Sequence, residues 1–234
     1  MSQSEITLYL IPTVLAEGTS DNVLSPQIKD VISNVDVFFV ENIRTARRFI
    51  SSLKLGKVID NITFFELTKD TPRGETRDQI KSLTQNAGII SEAGCPGVAD
   101  PGSVAVDFAH QVGIRVVPLV GPSSILLALM ASGMSGQSFV FHGYLPIDKT
   151  ERKKAVKQLE YDVLEKNQTQ IFMETPFRNN SFLDALLDSC QIDTLLCIAA
   201  NITSDEQFIE THPVKYWRKN KPDLHKQPTI FLIG

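Results

Sequence analysis

Cysteine is scarce in this 234-residue chain. Its three cysteines, Cys95, Cys190 and Cys197, are odd in number and show no close pairing pattern. That argues against a disulfide framework and reads as reduced thiols in a cytoplasmic protein. The four histidines, His110, His142, His212 and His225, are scattered without the spacing of a metal site, so no metal is expected. Positive charge is in deficit as well: 23 Lys and Arg stand against 27 Asp and Glu, a formal net charge of -4. The chain as a whole therefore lacks the basic footprint of a dedicated nucleic-acid binder, although a local patch remains open. Long apolar runs are missing. Ile125 to Ala131 falls well short of a membrane span, and the opening MSQSEITLYLIP has neither the basic start nor the apolar length of a secretion signal. No membrane partner is expected, and there is neither an internal repeat nor a low-complexity tract.

What is present is enough hydrophobic material, 42% of residues, for a substantial core in one or two domains. Ile6–Ile11 reads as a short buried strand, and Val35–Val40, Ile62–Leu67, Ala87–Ile90 and Ile114–Val120 read as further strands. Helical patterns separate them: one opened by Ser25 and Pro26, one near Thr45–Leu53, one near Thr76–Gln85 and one from Ser103 to Gln111. The alternation predicts a mostly parallel sheet with helices on its faces. After residue 119 the pattern is more mixed, with strands near 139–145, 170–173, 195–200, 208–211 and 229–233 and helices near 125–131, 149–165 and 182–187. We expect an α/β protein of two domains, 1–119 with a mostly parallel sheet and 120–234 with a mixed one, and a ligand cleft between them.

Glycine and proline concentrate in one place, the stretch SEAGCPGVADPG from Ser91 to Gly102, between a strand and a helix. Such a loop passes its backbone close to a ligand and presents N–H and C=O groups to it, though ordinary strand-to-helix loops share this composition. It is neither a Walker loop nor a dinucleotide fingerprint. VGPSS at Val120–Ser124 is a second element of the kind, or simply a helix cap. Glu41 with Arg44, and Glu174 with Arg178, read either as surface ion pairs or as site residues. All fall at predicted strand ends, where ligands bind in open α/β sheets.

The set LYLIPT, SEAGCPGVADPG, GIRVVPLVGPSS, FHGYLP with the basic helix after it, ETPFR and AANIT resembles the tetrapyrrole methylase superfamily, in order and over nearly the whole chain. Within it the likeness is to bacterial enzymes that methylate a cytidine ribose 2′-hydroxyl in small-subunit ribosomal RNA. The resemblance implies two α/β domains, S-adenosylmethionine (SAM) bound in the cleft between them with S-adenosylhomocysteine as product, and a homodimer. By position it implies that Pro12, Cys95, Val98, Ala99, Asp100, Ser123, Ser124, Met173, Ala200, Asn201, Pro228 and Thr229 contact SAM. Glu41 and Glu174 become candidate bases, and Arg44 and Arg178 anion holders.

The chain departs from the family pattern on the substrate side. VENIR stands where those enzymes read AEDTR, PFR where they read PHR and ANITS where they read RELTK, and their extra C-terminal helical region is not in this sequence. Three readings follow: a methyltransferase of ribosomal RNA or the small ribosomal subunit, a methyltransferase of a tetrapyrrole-like or other small molecule, and a SAM-binding protein without catalysis. An RNA enzyme would use Arg44, Arg47, Arg48, Lys149, Arg152, Lys153 and Lys154 as its basic surface; otherwise these are solvated helix faces.

Overall fold

The computed structural model describes residues 6–234; the first residues of the opening segment searched above for a signal, 1–5, lie outside it. The chain divides into two compact units, Met1–Pro122 and Ser123–Gly234.

The first unit holds strands β1 (Thr7–Ile11), β2 (Val37–Val40), β3 (Thr63–Glu66), β4 (Ala87–Ile90) and β5 (Arg115–Pro118). Its helices are α1 (Ser20–Val23), α2 (Pro26–Asn34), α3 (Ile43–Ser52), α4 (Arg73–Lys81) and α5 (Gly102–Gln111), with a 3-10 turn at Ile59–Asn61. The strands form one sheet in the order β3-β2-β4-β1-β5, and every pairing is parallel. Parallel strands need helical crossovers, and those helices bury both faces of the sheet. Ile28 and Ile32 of α2 and Ala46 and Ile50 of α3 pack with Ile11, Phe38 and Ile90 on one face. Ile80 of α4 and Ala105, Phe108 and Ala109 of α5 pack with Leu8, Phe39 and Ile89 on the other. Between the layers Gly88 has no room for a side chain: a Cβ there would lie 2.6 Å from Ile11 Cδ1.

Local chemistry starts and stops these helices. Ser25 accepts a hydrogen bond from the Gln27 amide and Pro26 occupies the first turn of α2, an arrangement that satisfies an otherwise unpaired N–H. Asn42 accepts from the Arg44 and Thr45 amides at the start of α3. Helix α4 starts at Arg73, three residues before the expected Thr76, because Pro72, at φ -60, leads directly into the first turn.

The second unit begins with α6 (Ser124–Ser132), capped by Ser123, whose hydroxyl accepts from the Leu126 amide, and ended by Gly133 at φ 73. Then follow β6 (Phe139–Tyr144), α7 (Lys149–Lys166), β7 (Thr169–Met173), α8 (Asn179–Ser189), β8 (Leu195–Ala200), β9 (Phe208–Pro213), α9 (Val214–Trp217) and β10 (Thr229–Ile233). The sheet order is β6-β7-β10-β8-β9, with β6 and β7 parallel and the other pairs antiparallel. Trp217, Phe172, Phe182 and Phe231 are fully buried in its core. Helix α8 is longer than the expected 182–187. Asn179 is polar yet fully buried, because its amide donates to the Gln227 carbonyl at 2.6 Å.

Candidate functional site

In the first sheet β1 and β4 are neighbours. The chain leaves β1 toward the α2 face and leaves β4 toward the α5 face, so the two loops part at the carboxyl edge. That is the position where open α/β sheets bind ligands. The Ser91–Gly102 loop occupies it and is held from both sides. Toward β1, the Thr13 amide donates to the Gly94 carbonyl at 2.9 Å and the Thr13 hydroxyl to the Ser91 carbonyl at 3.2 Å. The Ser91 hydroxyl donates to the same Gly94 carbonyl at 2.7 Å. Toward β5, the Cys95 thiol points at the carbonyls of Pro122 and Gly121, 3.4 and 3.9 Å away.

Within the loop Asp100 is the organiser. Its Oδ1 accepts from the Gly97 amide at 2.6 Å and the Gly102 amide at 2.8 Å. Gly102 must be glycine, since a Cβ would lie 2.9 Å from that oxygen and 3.0 Å from the Gly97 nitrogen. Gly97 and Ala99 both have positive φ, 82 and 60. For Ala99 this is a sparsely populated, strained backbone, of the kind that clusters at ligand clamps. Val98 and Ala99 are exposed, so the loop turns its backbone outward there.

The electrostatics of the loop are set by carboxyls. Between Ser91 and Gly102 there are two acids, Glu92 and Asp100, and no basic residue. Glu41, at the end of β2, accepts from the Glu92 amide at a long 3.5 Å. Its pKa is raised, first by burial and then by the charge of Asp100. Asp100 is raised too: burial outweighs the two amide hydrogen bonds that pull it down. Two carboxyls that are costly to ionise are relieved by a positively charged ligand. Cys95 is pushed up by burial and then by Asp100, which makes it a thiol and a structural contact rather than a nucleophile.

The expected Glu41–Arg44 pair does not form among the described residues: Arg44 is exposed, and its backbone amide is the group that Asn42 caps. Glu174 and Arg178 do pair, but not as a surface ion pair. The Glu174 side chain is 1% exposed, and its Oε1 accepts from the Thr175 amide and from Arg178 Nη2, both at 2.6 Å. Glu174 is therefore committed to holding Arg178 and the turn before α8.

Met173, Ala200 and Thr229 lie at one end of the second sheet, where the carboxyl ends of β7 and β8 meet the amino end of antiparallel β10: Ala200 pairs with Thr229 and Met173 with Ile230. Asn201, at φ 51, donates its amide to the Pro228 carbonyl at 2.9 Å and its side chain to Gln227 Oε1 at 3.0 Å. The structure thus groups the predicted residues of each unit at one sheet edge. Ser123 is in place as the α6 cap, with Ser124 the first residue of that helix.

Five of the seven basic residues singled out by sequence have no ion pair among the described residues: Arg44, Arg48, Lys149, Arg152 and Lys153. Arg47 pairs with Asp60 and Lys154 with Glu151, and the Arg152 guanidinium lies over the Phe182 ring, 5.8 Å from its centre. Sequence reasoning missed a cavity of about 450 Å³ between the loop after β1, helix α3 and Ser91–Ala93. Its signal was present as Thr45, Arg48, Phe49 and Ser52, whose spacing puts them on one helix face.

No protein-family model matches the chain. It is 28% identical over 97% of its length to the ribosomal RNA small subunit methyltransferase I of Vibrio cholerae serotype O1, covering 76% of that protein. It is 30% identical over 86% of its length to the protein of the same name from Bacillus subtilis, covering 66% of it. Among solved structures, the methyltransferase CobJ superimposes with a TM-score of 0.63 over 98% of this chain and 93% of that one, at 17% identity. That likeness speaks for the fold.

Proposed function

The chain is a member of the tetrapyrrole methylase family, and we propose that it transfers the methyl group of SAM to ribosomal RNA, at a cytidine ribose 2′-hydroxyl. The observation that carries this reading is the relationship to curated small-subunit ribosomal RNA methyltransferases, which runs through both units of the chain.

The residues present fit the cofactor. SAM carries a sulfonium and an ammonium, and the Ser91–Gly102 loop joins outward-turned backbone to two carboxyls whose ionisation is disfavoured without a cation. In this reading the loop, with Pro12, Cys95, Val98, Ala99 and Asp100, holds SAM; Ser123, Ser124, Met173, Ala200, Asn201, Pro228 and Thr229 are further contacts. SAM supplies an activated methyl group, so the protein's task is to align it with the acceptor oxygen. Glu41 is the carboxyl fitted to take the hydroxyl proton, because it is partly exposed and its pKa is raised above the ordinary glutamate value, first by burial. Glu174 is a positioning residue for Arg178, which holds an RNA phosphate together with Arg44. The protein works in the cytoplasm as a homodimer.

One observation favours a second reading, a SAM-binding protein without transfer: one of the two candidate bases, Glu174, is fully engaged by its neighbours. The test is transfer of a labelled methyl group from SAM to small ribosomal subunits that lack ribose methylation. Label in RNA, lost on Glu41→Gln, supports the enzyme. Tight SAM binding with no label in any RNA or small-molecule acceptor supports the second reading.

A further inference from the structure

The cavity beside α3 is a second compartment in the first unit. None of the residues assigned to SAM lines it, yet it shares the β4 loop with them: Ser91–Ala93 form part of its wall, and Cys95 begins the cofactor stretch two residues on. We propose that this cavity receives one nucleotide of the RNA acceptor, with the base against Phe49 and the phosphate on Arg48. The proposal rests on the RNA reading above and names where that substrate is gripped.

Three features point to a nucleotide. The first is size and order. About 450 Å³ lies within the range of small-ligand sites and accommodates a nucleoside monophosphate. The wall is preformed, because Thr13 bonds the Ser91 and Gly94 carbonyls through its side chain and its backbone. Leu15 is set against the same turn, where a Cβ on Gly94 would lie 3.2 Å from it.

The second is the division of chemistry across the cavity. Val14, Ala46, Phe49 and Ile90 give it an apolar side with one half-buried aromatic ring. Single-stranded RNA is read by stacking unpaired bases on such rings. Arg48 lines the same space and is exposed, with no ion pair among the described residues, whereas its neighbour Arg47 is held by Asp60. A guanidinium free of protein partners and set beside an aromatic ring is suited to a phosphate.

The third is the presence of acceptors. Glu17 and Glu92 also line the cavity. Both are exposed, and they offer acceptors to the exocyclic amino group of a cytosine while Arg48 takes the phosphate.

The experiment is methyl NMR of the full chain, labelled at Ala, Val and Ile methyl groups, titrated with cytidine 5′-monophosphate at millimolar concentration. Ribose 5-phosphate and inorganic phosphate are the control probes. The expected result is a shift of the Val14, Ala46 and Ile90 methyls with the nucleotide and not with either control. Arg48→Gln weakens it about tenfold, the loss of one charge-assisted contact. Ser52→Trp, which plants a large ring at the exposed cavity rim, abolishes it. Both variants are checked for wild-type SAM binding by calorimetry, which shows that the fold and the cofactor loop are intact. No methyl shift with the nucleotide, or a shift that Ser52→Trp leaves unchanged, overturns the pocket. The two readings fail separately. Nucleotide binding without SAM binding removes the methyltransferase and keeps the pocket; methyl transfer to RNA with an unchanged KM in Ser52→Trp removes the pocket and keeps the enzyme.

Discussion

Gly121 lies flat against Pro12: a Cβ at position 121 would come within 2.3 Å of the proline Cβ and 2.6 Å of its Cγ. The contact joins the loop after β1 to the loop after β5 at the edge where the Ser91–Gly102 loop is anchored. The carbonyls of Gly121 and Pro122 meet the Cys95 thiol at the same edge.

Gly121→Ala is expected to destabilise the protein by about 2 kcal/mol, the cost of forcing one methyl into filled space. The lowered melting temperature is the readout. In a Pro12→Gly background the same change costs less, because the obstructing ring is gone, and a double-mutant cycle reports the difference. Equal costs in both backgrounds would disprove the contact.

Asp100 separates two substitutions. Asp100→Asn retains an oxygen for the Gly97 and Gly102 amides; Asp100→Ala leaves both without their partner. The alanine variant is expected to lose about 1–3 kcal/mol of stability and most of its SAM binding, and the asparagine variant to melt near wild type. Thermal melts and SAM titrations of the pair give the answer.

Glu41 predicts a pH dependence. Its pKa in the folded protein is raised by burial first and by the Asp100 charge second. The folded chain therefore binds more protons than the unfolded chain between the ordinary glutamate value and the raised one. Stability is fully present below that window and falls as pH rises through it. Glu41→Gln removes the loss: the variant melts above wild type at neutral pH and coincides with it in acid. A wild-type advantage at neutral pH would contradict the assignment.

Glu174 and Arg178 differ in what their removal leaves behind. Arg178→Ala strands a buried carboxylate and is expected to cost about 2 kcal/mol, reduced from the value for a wholly buried pair because the arginine is 39% exposed. Glu174→Gln keeps an oxygen for the Thr175 amide and costs less. Chemical denaturation of the two variants measures the order, and the reverse order would refute the account of Glu174 as a holder of Arg178.

The sequence made legible what is decided locally. The strands, the Ser25 and Ser123 caps and the glycine-proline loop appear where their residue types require them, because each depends on neighbours a few positions away. What depends on distant parts of the chain was not legible. Helix α8 begins at a buried Asn179 whose partner is the Gln227 carbonyl, and no local pattern announces that bond. The Cys95 thiol points at carbonyls 26 and 27 residues later, a contact that no local pattern announces. Asn42 stood out only as a departure from the family motif and proves to be the cap of α3. The α3 cavity exists only because the loop after β1 folds over that helix, so its four polar and aromatic residues looked like an ordinary exposed face.

The most direct measurement is calorimetric titration of ligand-free protein with SAM, for wild type, Asp100→Ala and Ser52→Trp. The account predicts micromolar binding to wild type, the same binding to Ser52→Trp, and a large loss in Asp100→Ala. No heat of binding to wild type, or equal binding by all three, would contradict the assignment of the Ser91–Gly102 loop as the SAM site.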